Sequence, residues 1–207
     1  MLKVLGRSNS INVKKVLWLC HELGLTYEHV EWGKEGLTLK SDEFLALNPN
    51  AKVPVIVDDD FVLWESNTIC RYLAGRSQRI DLLPTDLRQR ARVEQWMDWQ
   101  ATELNNAWRY AFMGLVRKSP EYQDVQEIAK SVDNWNHHIQ ILDKALAQTG
   151  AFVTGDAFTL ADIVLGVAVH RWFMSPIERF ELPHVEAYYD RLAQRPGYLL
   201  HGRNAVP

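Results

Sequence analysis

Every strand signal in this chain falls before residue 75, and everything after residue 87 reads as helix. That asymmetry constrains the fold more than any single motif. A chain that alternates strand and helix builds a sheet with helices on its faces, whereas a purely helical run must bury its apolar stripes against other helices. Leu2–Leu5 is a short strand, and Val13, Val16, Leu17, Leu19, Cys20 and Leu23 recur at helical spacing before Gly24 stops them. Tyr27–Glu31 reads as a second strand, followed by a polar stretch from Gly33 to Ser41 and a short helix at Asp42–Leu47 that Asn48-Pro49 ends. Val55–Val57 and Phe61–Trp64 flank Asp58-Asp59-Asp60 as a hairpin, because Asp tolerates turn conformations. Ser66 then reads as the cap of a helix from Thr68 to Leu73.

Gly75–Pro84 loses the periodicity and reads as a linker. We therefore expect an α/β domain over residues 1–78, a linker over 79–87 and an all-α domain over 88–207. In the second domain Arg88–Arg117 predicts one long helix, broken at Ser119-Pro120. Tyr122–Leu146, Thr159–Trp172 and Pro183–Ala193 predict three more, the third helical run (Thr159–Trp172) apolar nearly all round and hence the buried centre of that half.

Composition narrows the function classes. The 207 residues carry a formal charge of -3 with both signs mixed, which gives no global field toward nucleic acid or anionic lipid. No apolar run approaches the roughly 20 residues of a membrane helix, and the N-terminus lacks the apolar core of a signal peptide, so a cytoplasmic location is expected. Cys20 and Cys70 sit inside apolar-periodic segments and read as small buried hydrophobes. His137 and His138 are adjacent, and on a helix they point about 100° apart, so they do not share a metal. His21 and His170 have no partner at ligand spacing, and no metal site is expected. Trp96, Trp99, Trp108, Trp135 and Trp172 read as packing or interface residues.

Three short stretches carry chemistry, each with a plain structural alternative. "SNSINVKK", Ser8–Lys15, sits where a strand turns into a helix. Ser10 and Asn12 suit an N-cap, yet the same free amides, helix dipole and hydroxyl would stabilise a thiolate. Lys52-Val53-Pro54 precedes a strand; either its proline marks a sheet edge, or a cis bond turns the Val53 backbone toward an extended peptide ligand. Glu65-Ser66 starts a helix; either Ser66 is a cap, or helix amides and its hydroxyl grip a carboxylate while Glu65 pairs with an ammonium group. Together these last two groups would meet the head of an α-amino acid.

In this order the three stretches, with the helical tail, resemble the cytosolic glutathione transferases. "LNPNAKVPVIVDDDFVLWESNTICRYL", Leu47–Leu73, carries the resemblance most specifically. "FVTGDAFTLADIVLG", Phe152–Gly166, resembles the family's internal capping motif, with Thr159 and Asp162 as a capping box. The resemblance covers essentially the whole chain and implies a thioredoxin-like N-terminal domain followed by an all-α helical domain. It implies that Val53 pairs with the cysteinyl backbone of glutathione through a cis Val53-Pro54 bond, that Glu65 and Ser66 hold its γ-glutamyl head, and that Lys40 and Lys52 lie near its glycyl carboxylate.

In the theta-, beta- and nu-like bacterial branches the supporting hydroxyl falls at Ser10, with Asn12 at the nearby position used by Thr/Asn sites. Gly6–Lys15 has neither the Tyr of the tyrosine branches nor the Cys of the cysteine branches, which argues against a mixed disulfide with the protein.

The electrophile would lie between this turn and the first long helix, where Arg109, Phe112, Met113 and Val116 share one face. The apolar three could equally be core, with Arg109 a solvated edge. Arg109 with Arg117 and Arg7 could clamp an anionic electrophile, and Asn105–Arg117 resembles a bacterial group that includes enzymes acting on small halo-acids. The resemblance further implies a homodimer and a detoxification role, with glutathione as co-substrate and no metal. A glutathione-dependent peroxidase or disulfide reductase and a non-catalytic glutathione-binding module are the alternatives.

Overall fold

The computed structural model describes residues 1–34 and 37–204. Glu35 and Gly36 of the polar stretch after the second strand, and the end of the expected helical domain at 205–207, lie outside the described residues. The first half runs β1 (Leu2–Leu5), α1 (Ile11–Glu22), β2 (Tyr27–Val30), α2 (Asp42–Leu47), β3 (Val55–Asp58), β4 (Phe61–Trp64) and α3 (Ser66–Arg76). The strands form one sheet in the order β2-β1-β3-β4. β1 and β2 are parallel across the α1 crossover, and β3 and β4 pair antiparallel as a hairpin. Asp59 takes the left-handed conformation at that hairpin, φ 55°, as an Asp in a tight turn can.

The second half is helical among the described residues: α4 (Leu87–Trp99), α5 (Asn105–Leu115), α6 (Val125–Thr149), α7 (Leu160–Met174) and α8 (Pro183–Leu192). Instead of one helix over 88–117, a wider π-type turn at Gln100–Leu104 separates α4 from α5. That turn brings Gln100 inward, where its Oε1 accepts from Lys15 Nζ at 2.6 Å. α6 starts at Val125 rather than Tyr122, because Asp124 Oδ1 accepts from the amides of Gln126 and Glu127. A further turn at Tyr198–Gly202 was not expected from the sequence; Tyr198 Oη donates to Gly166 O at 2.9 Å and seats it on α7.

The core is continuous across both halves. Trp18 of α1 is fully buried, with ring centroids 5.7 Å from Phe158 and 4.6 Å from Tyr198. α7 passes beside it at Gly166, where a Cβ would meet Leu192 at 2.8 Å and Trp18 at 3.0 Å, so only glycine admits α1 and α8 this close. A smaller cluster of Leu5, Trp32, Phe44 and Val55 packs α2 on the sheet. In the expected linker, α3 continues to Arg76, and Leu82 and Leu83 are buried.

α7 is the buried centre. Its capping box forms: Thr159 N donates to Asp162 Oδ2 at 2.8 Å, and Thr159 also receives the reciprocal bond. Burial pushes the Asp162 carboxyl up to about 6 even though Val153 N and Tyr188 Oη also donate to it. Among the described residues no helix is long and apolar enough to cross a membrane.

Candidate active site

The turn after β1 is shaped by Gly6. Its φ is +143°, and a Cβ there would meet Val13 at 2.7 Å and Val53 at 2.8 Å. A glycine therefore lets the start of α1 and the loop before β3 close on one another. His29 Nε2 donates to Gly6 O at 2.7 Å, and Ser8 N donates to Glu31 Oε2 at 3.1 Å. Burial works against ionising Glu31, yet hydrogen bonds from Lys34 and Ser8 hold its carboxyl down at about 2.

Ser10 stands at the N-cap position of α1, φ -78° and ψ 125°, and its side chain makes no capping bond. The cap geometry is present while the hydroxyl stays free for another partner. The first turn of α1 has no acidic residue, so its dipole is not offset there. Two residues on, within the first turn of α1, Asn12 Oδ1 is buried with no partner among the described residues. Lys14 and Lys15 follow, both buried, and burial brings each ammonium down to about 8.

A cavity of about 130 Å³ opens beside this turn, lined by Asn12, Asn48, Lys52, Val53, Pro54, Glu65 and Ser66. The Val53–Pro54 bond is cis, and among the described residues the Val53 amide and carbonyl make no backbone hydrogen bond. Asn48 Nδ2 donates to Lys52 O at 2.8 Å and fixes the loop. Ser66 is not the cap of α3. Glu65 is, with φ 72° and ψ 109°, and Ser66 is the first helical residue, buried and facing the cavity. The left-handed turn at Glu65 leaves its carboxylate on the exposed rim with Lys52. Lys40, by contrast, is exposed on the loop before α2 and lines neither this cavity nor its neighbour.

The neighbouring cavity, about 420 Å³, shares Asn12 and Lys52 with the first and adds Ser10. Arg109, Phe112 and Met113 line it, as the helical spacing predicts, and so do Arg7 and Arg117, but Val116 does not. Val116 is the C-cap residue of α5, where the face turns away. The lining also includes residues that the sequence reading did not single out for this cavity, among them Asn105, Trp108 and Arg171. Trp108 is thus a wall of the cavity as well as a packing residue. Arg171 comes from the buried helix α7 and is only 3% exposed. Its guanidinium lies 4.0 Å from the Phe112 ring centroid and 4.5 Å from that of Trp108. Burial, then the Arg117 charge, brings Arg171 down to about 9. The single Arg inside the apolar run "IVLGVAVHRWF" was the available signal for it.

A buried polar chain supports both cavities from behind. Lys15 Nζ donates to Asn67 Oδ1 and Gln100 Oε1, and Gln100 Nε2 donates to Asn105 Oδ1. Asn67 is next to Ser66, and Asn105 is on the larger cavity's wall, so the chain crosses between the two halves. Cys20 and Cys70 are free and buried, and burial pushes both thiols up to about 12. His170 Nδ1 lies 2.9 Å from Tyr189 Oη, a core contact. Among the described residues no group of three or more His, Cys, Asp or Glu gathers as a metal site would require.

The chain is similar to known proteins over most of its length. The family model for the glutathione S-transferase N-terminal domain matches residues 1–75, and that for the glutathione S-transferase C-terminal domain matches residues 125–191. Glutathione S-transferase GstB of Escherichia coli (strain K12) is 39% identical over 198 residues, 95% of each chain. The crystal structure of the theta class glutathione S-transferase of Xanthomonas axonopodis pv. citri with glutathione bound matches with a TM-score of 0.92 at 39% identity, over 100% of this chain and 99% of that one. Elongation factor 1-gamma 3 of Oryza sativa subsp. japonica is 29% identical over 92% of this chain, which spans 46% of that protein.

Proposed function

The chain belongs to the glutathione S-transferase family, and from that premise we propose how its two adjoining cavities divide the work of the enzyme. Glutathione lies in the smaller cavity, and a small electrophile, halogenated or anionic, lies in the larger one. The observation that carries this reading is Asn12, which lines both cavities, has a buried Oδ1 without a partner among the described residues, and follows two residues after Ser10, whose side chain makes no capping bond.

The smaller cavity fits the tripeptide chemically. Val53 offers an unpaired amide and carbonyl to an extended backbone. Glu65 and the Ser66 end of α3 offer opposite polarities to an α-amino acid head, and Lys52 offers a cation to the far carboxylate. Glutathione supplies the nucleophile: its thiolate forms the new carbon–sulfur bond, the leaving group departs with the electron pair, and the thiol proton passes to solvent. Ser10 donates to the sulfur, and the start of α1 adds unsatisfied amides and an unopposed dipole, all favouring thiolate over thiol. Asn12 is the second candidate donor to the sulfur, since its side chain lies in the lining of both cavities. The walls of Phe112, Met113 and Trp108 hold the electrophile against sulfur and exclude water. No side chain forms a covalent intermediate.

Val62 and Trp64, which share one face of the edge strand β4, are 37% and 38% exposed, which supports a homodimer with the site near the interface. The family setting supports a cytoplasmic, detoxifying role. The test is a calorimetric titration with glutathione, then a turnover screen of halo-acids, aryl halides and peroxides. Saturable binding with conversion of a halide is expected. Absence of glutathione binding contradicts the reading, peroxide turnover alone makes the enzyme a peroxidase, and binding without any conversion favours the non-catalytic module.

A further inference from the structure

We propose that Lys15 is a positioning residue for the larger cavity: by holding Gln100 in the wide turn between α4 and α5, it sets the rotation of α5 and so the wall that this helix gives to the cavity. The proposal rests on the glutathione reading and adds to it the residue that keeps electrophile and sulfur in register.

In an unbroken α-helix each amide donates to the carbonyl four residues back. At Asn105 the amide donates instead to Gln100 O, five residues back. The extra residue in that turn rotates everything after it, by as much as about 100°. Spacing within α5 places Arg109, Phe112 and Met113 on one face, but the turn at Gln100–Leu104 decides where that face points. The side chains at the two ends of the turn match its width. Gln100 Nε2 donates to Asn105 Oδ1 at 2.9 Å. On an unbroken α-helix two residues five apart stand about 140° from one another, and this bond could not form.

Lys15 gives the turn its direction. Its buried Nζ donates to Gln100 Oε1 at 2.6 Å and to Asn67 Oδ1 at 3.2 Å, both neutral amides. An ammonium only donates, so Gln100 must turn its oxygen toward α1 and its nitrogen toward Asn105. Asn105 Nδ2 then donates to Ala101 O at 3.2 Å, and Ala101 and Asn105 both line the larger cavity. The second arm runs through Asn67, whose Nδ2 donates to Met97 O at 2.7 Å and ties the start of α3 to α4 just before the turn. An apolar residue would fill the place of Lys15 without the cost of burying a charge, but it could orient neither amide. Ser10 and Lys15 also belong to one helix, with about 7.5 Å of rise between them. The helix end that meets sulfur and the ammonium that holds the opposite wall therefore move as one body.

The test compares glutathione with S-hexylglutathione by calorimetry on the full-length protein, since the hexyl chain runs from sulfur into the larger cavity. The hexyl ligand should bind at least about tenfold more tightly than glutathione. Lys15→Met should lower that ratio to about threefold or less, and Lys15→Arg should restore part of it. Gln100→Met, which leaves Lys15 its Asn67 partner, should lower the ratio as far while glutathione affinity changes less than about threefold. A purely packing role for Lys15 would weaken both ligands together and leave their ratio intact, and that result overturns the proposal. An undiminished ratio in Gln100→Met overturns it as well, and this variant answers even if Lys15→Met fails to fold. Equal binding of the two ligands to the unsubstituted protein also overturns it and leaves the glutathione reading standing. Absence of glutathione binding overturns that reading and the proposal together.

Discussion

The two cavities share Asn12 and Lys52 yet differ in how they are charged and how they are built. The smaller has both signs, Glu65 and Lys52, with an unpaired backbone at Val53, as a zwitterionic peptide requires. The larger has cations and aromatic rings and, among the described lining residues, no acid. The first is assembled from loops at the ends of β1, β3 and β4, so each of its parts is a short local motif. The second is closed by α5 and α7, whose residues meet only when the helical half packs onto α1. A local site can be specified by sequence neighbours and reused with little change, while a packed site is free to vary with each helix face.

The harshest way to break this comparison is at Gly6, which serves both sides by letting Val13 and Val53 meet. Gly6→Val should cost about 3 kcal/mol of stability and more than about 100-fold in glutathione affinity, read by denaturant unfolding and calorimetry. Next comes Ser10→Ala, which should lower kcat about 100-fold while glutathione affinity moves less than about threefold, because the hydroxyl acts on the thiolate. Ser66→Ala should do the reverse, weakening glutathione about tenfold with kcat at saturation nearly unchanged. Matching small effects from these two would erase the distinction between activation and grip.

The smallest effect concerns Glu31, which anchors the Ser8 amide. Its folded carboxyl is held at about 2, below its unfolded value near 4.3. Its contribution is therefore complete above about pH 5 and is lost as pH falls toward 2. Glu31→Gln should cost less than about 1 kcal/mol at pH 7, and its unfolding curve should merge with that of the unsubstituted protein in acid.

The same local-versus-packed difference decides what could be read in the chain. The βαβ start, the Asp59 hairpin and the Thr159–Asp162 box follow from neighbouring residues, and all are present. The Val53-Pro54 and Glu65-Ser66 stretches were legible for the same reason, although Ser66 proved to be a first-turn residue rather than a cap. Helical spacing placed Arg109, Phe112 and Met113 on one face. It could not show that a π-type turn at Gln100–Leu104 would interrupt the long helix, because that turn answers to Lys15, far away in sequence. Nor could it show Arg171, whose neighbours Trp108 and Phe112 come from another helix. Lys40 is the opposite case: the resemblance placed it near the glycyl carboxylate, yet it stands exposed outside both cavities.

The central claim is that the start of α1 turns the bound thiol into a thiolate, and ultraviolet difference titration of the glutathione complex reads that directly. A free thiol titrates near 8.5, and the free Ser10 hydroxyl and unopposed helix dipole should bring the bound one down by about one unit or more. Thiolate absorbance at neutral pH that disappears with Ser10→Ala is the predicted result. Bound glutathione that titrates like free glutathione would contradict the account.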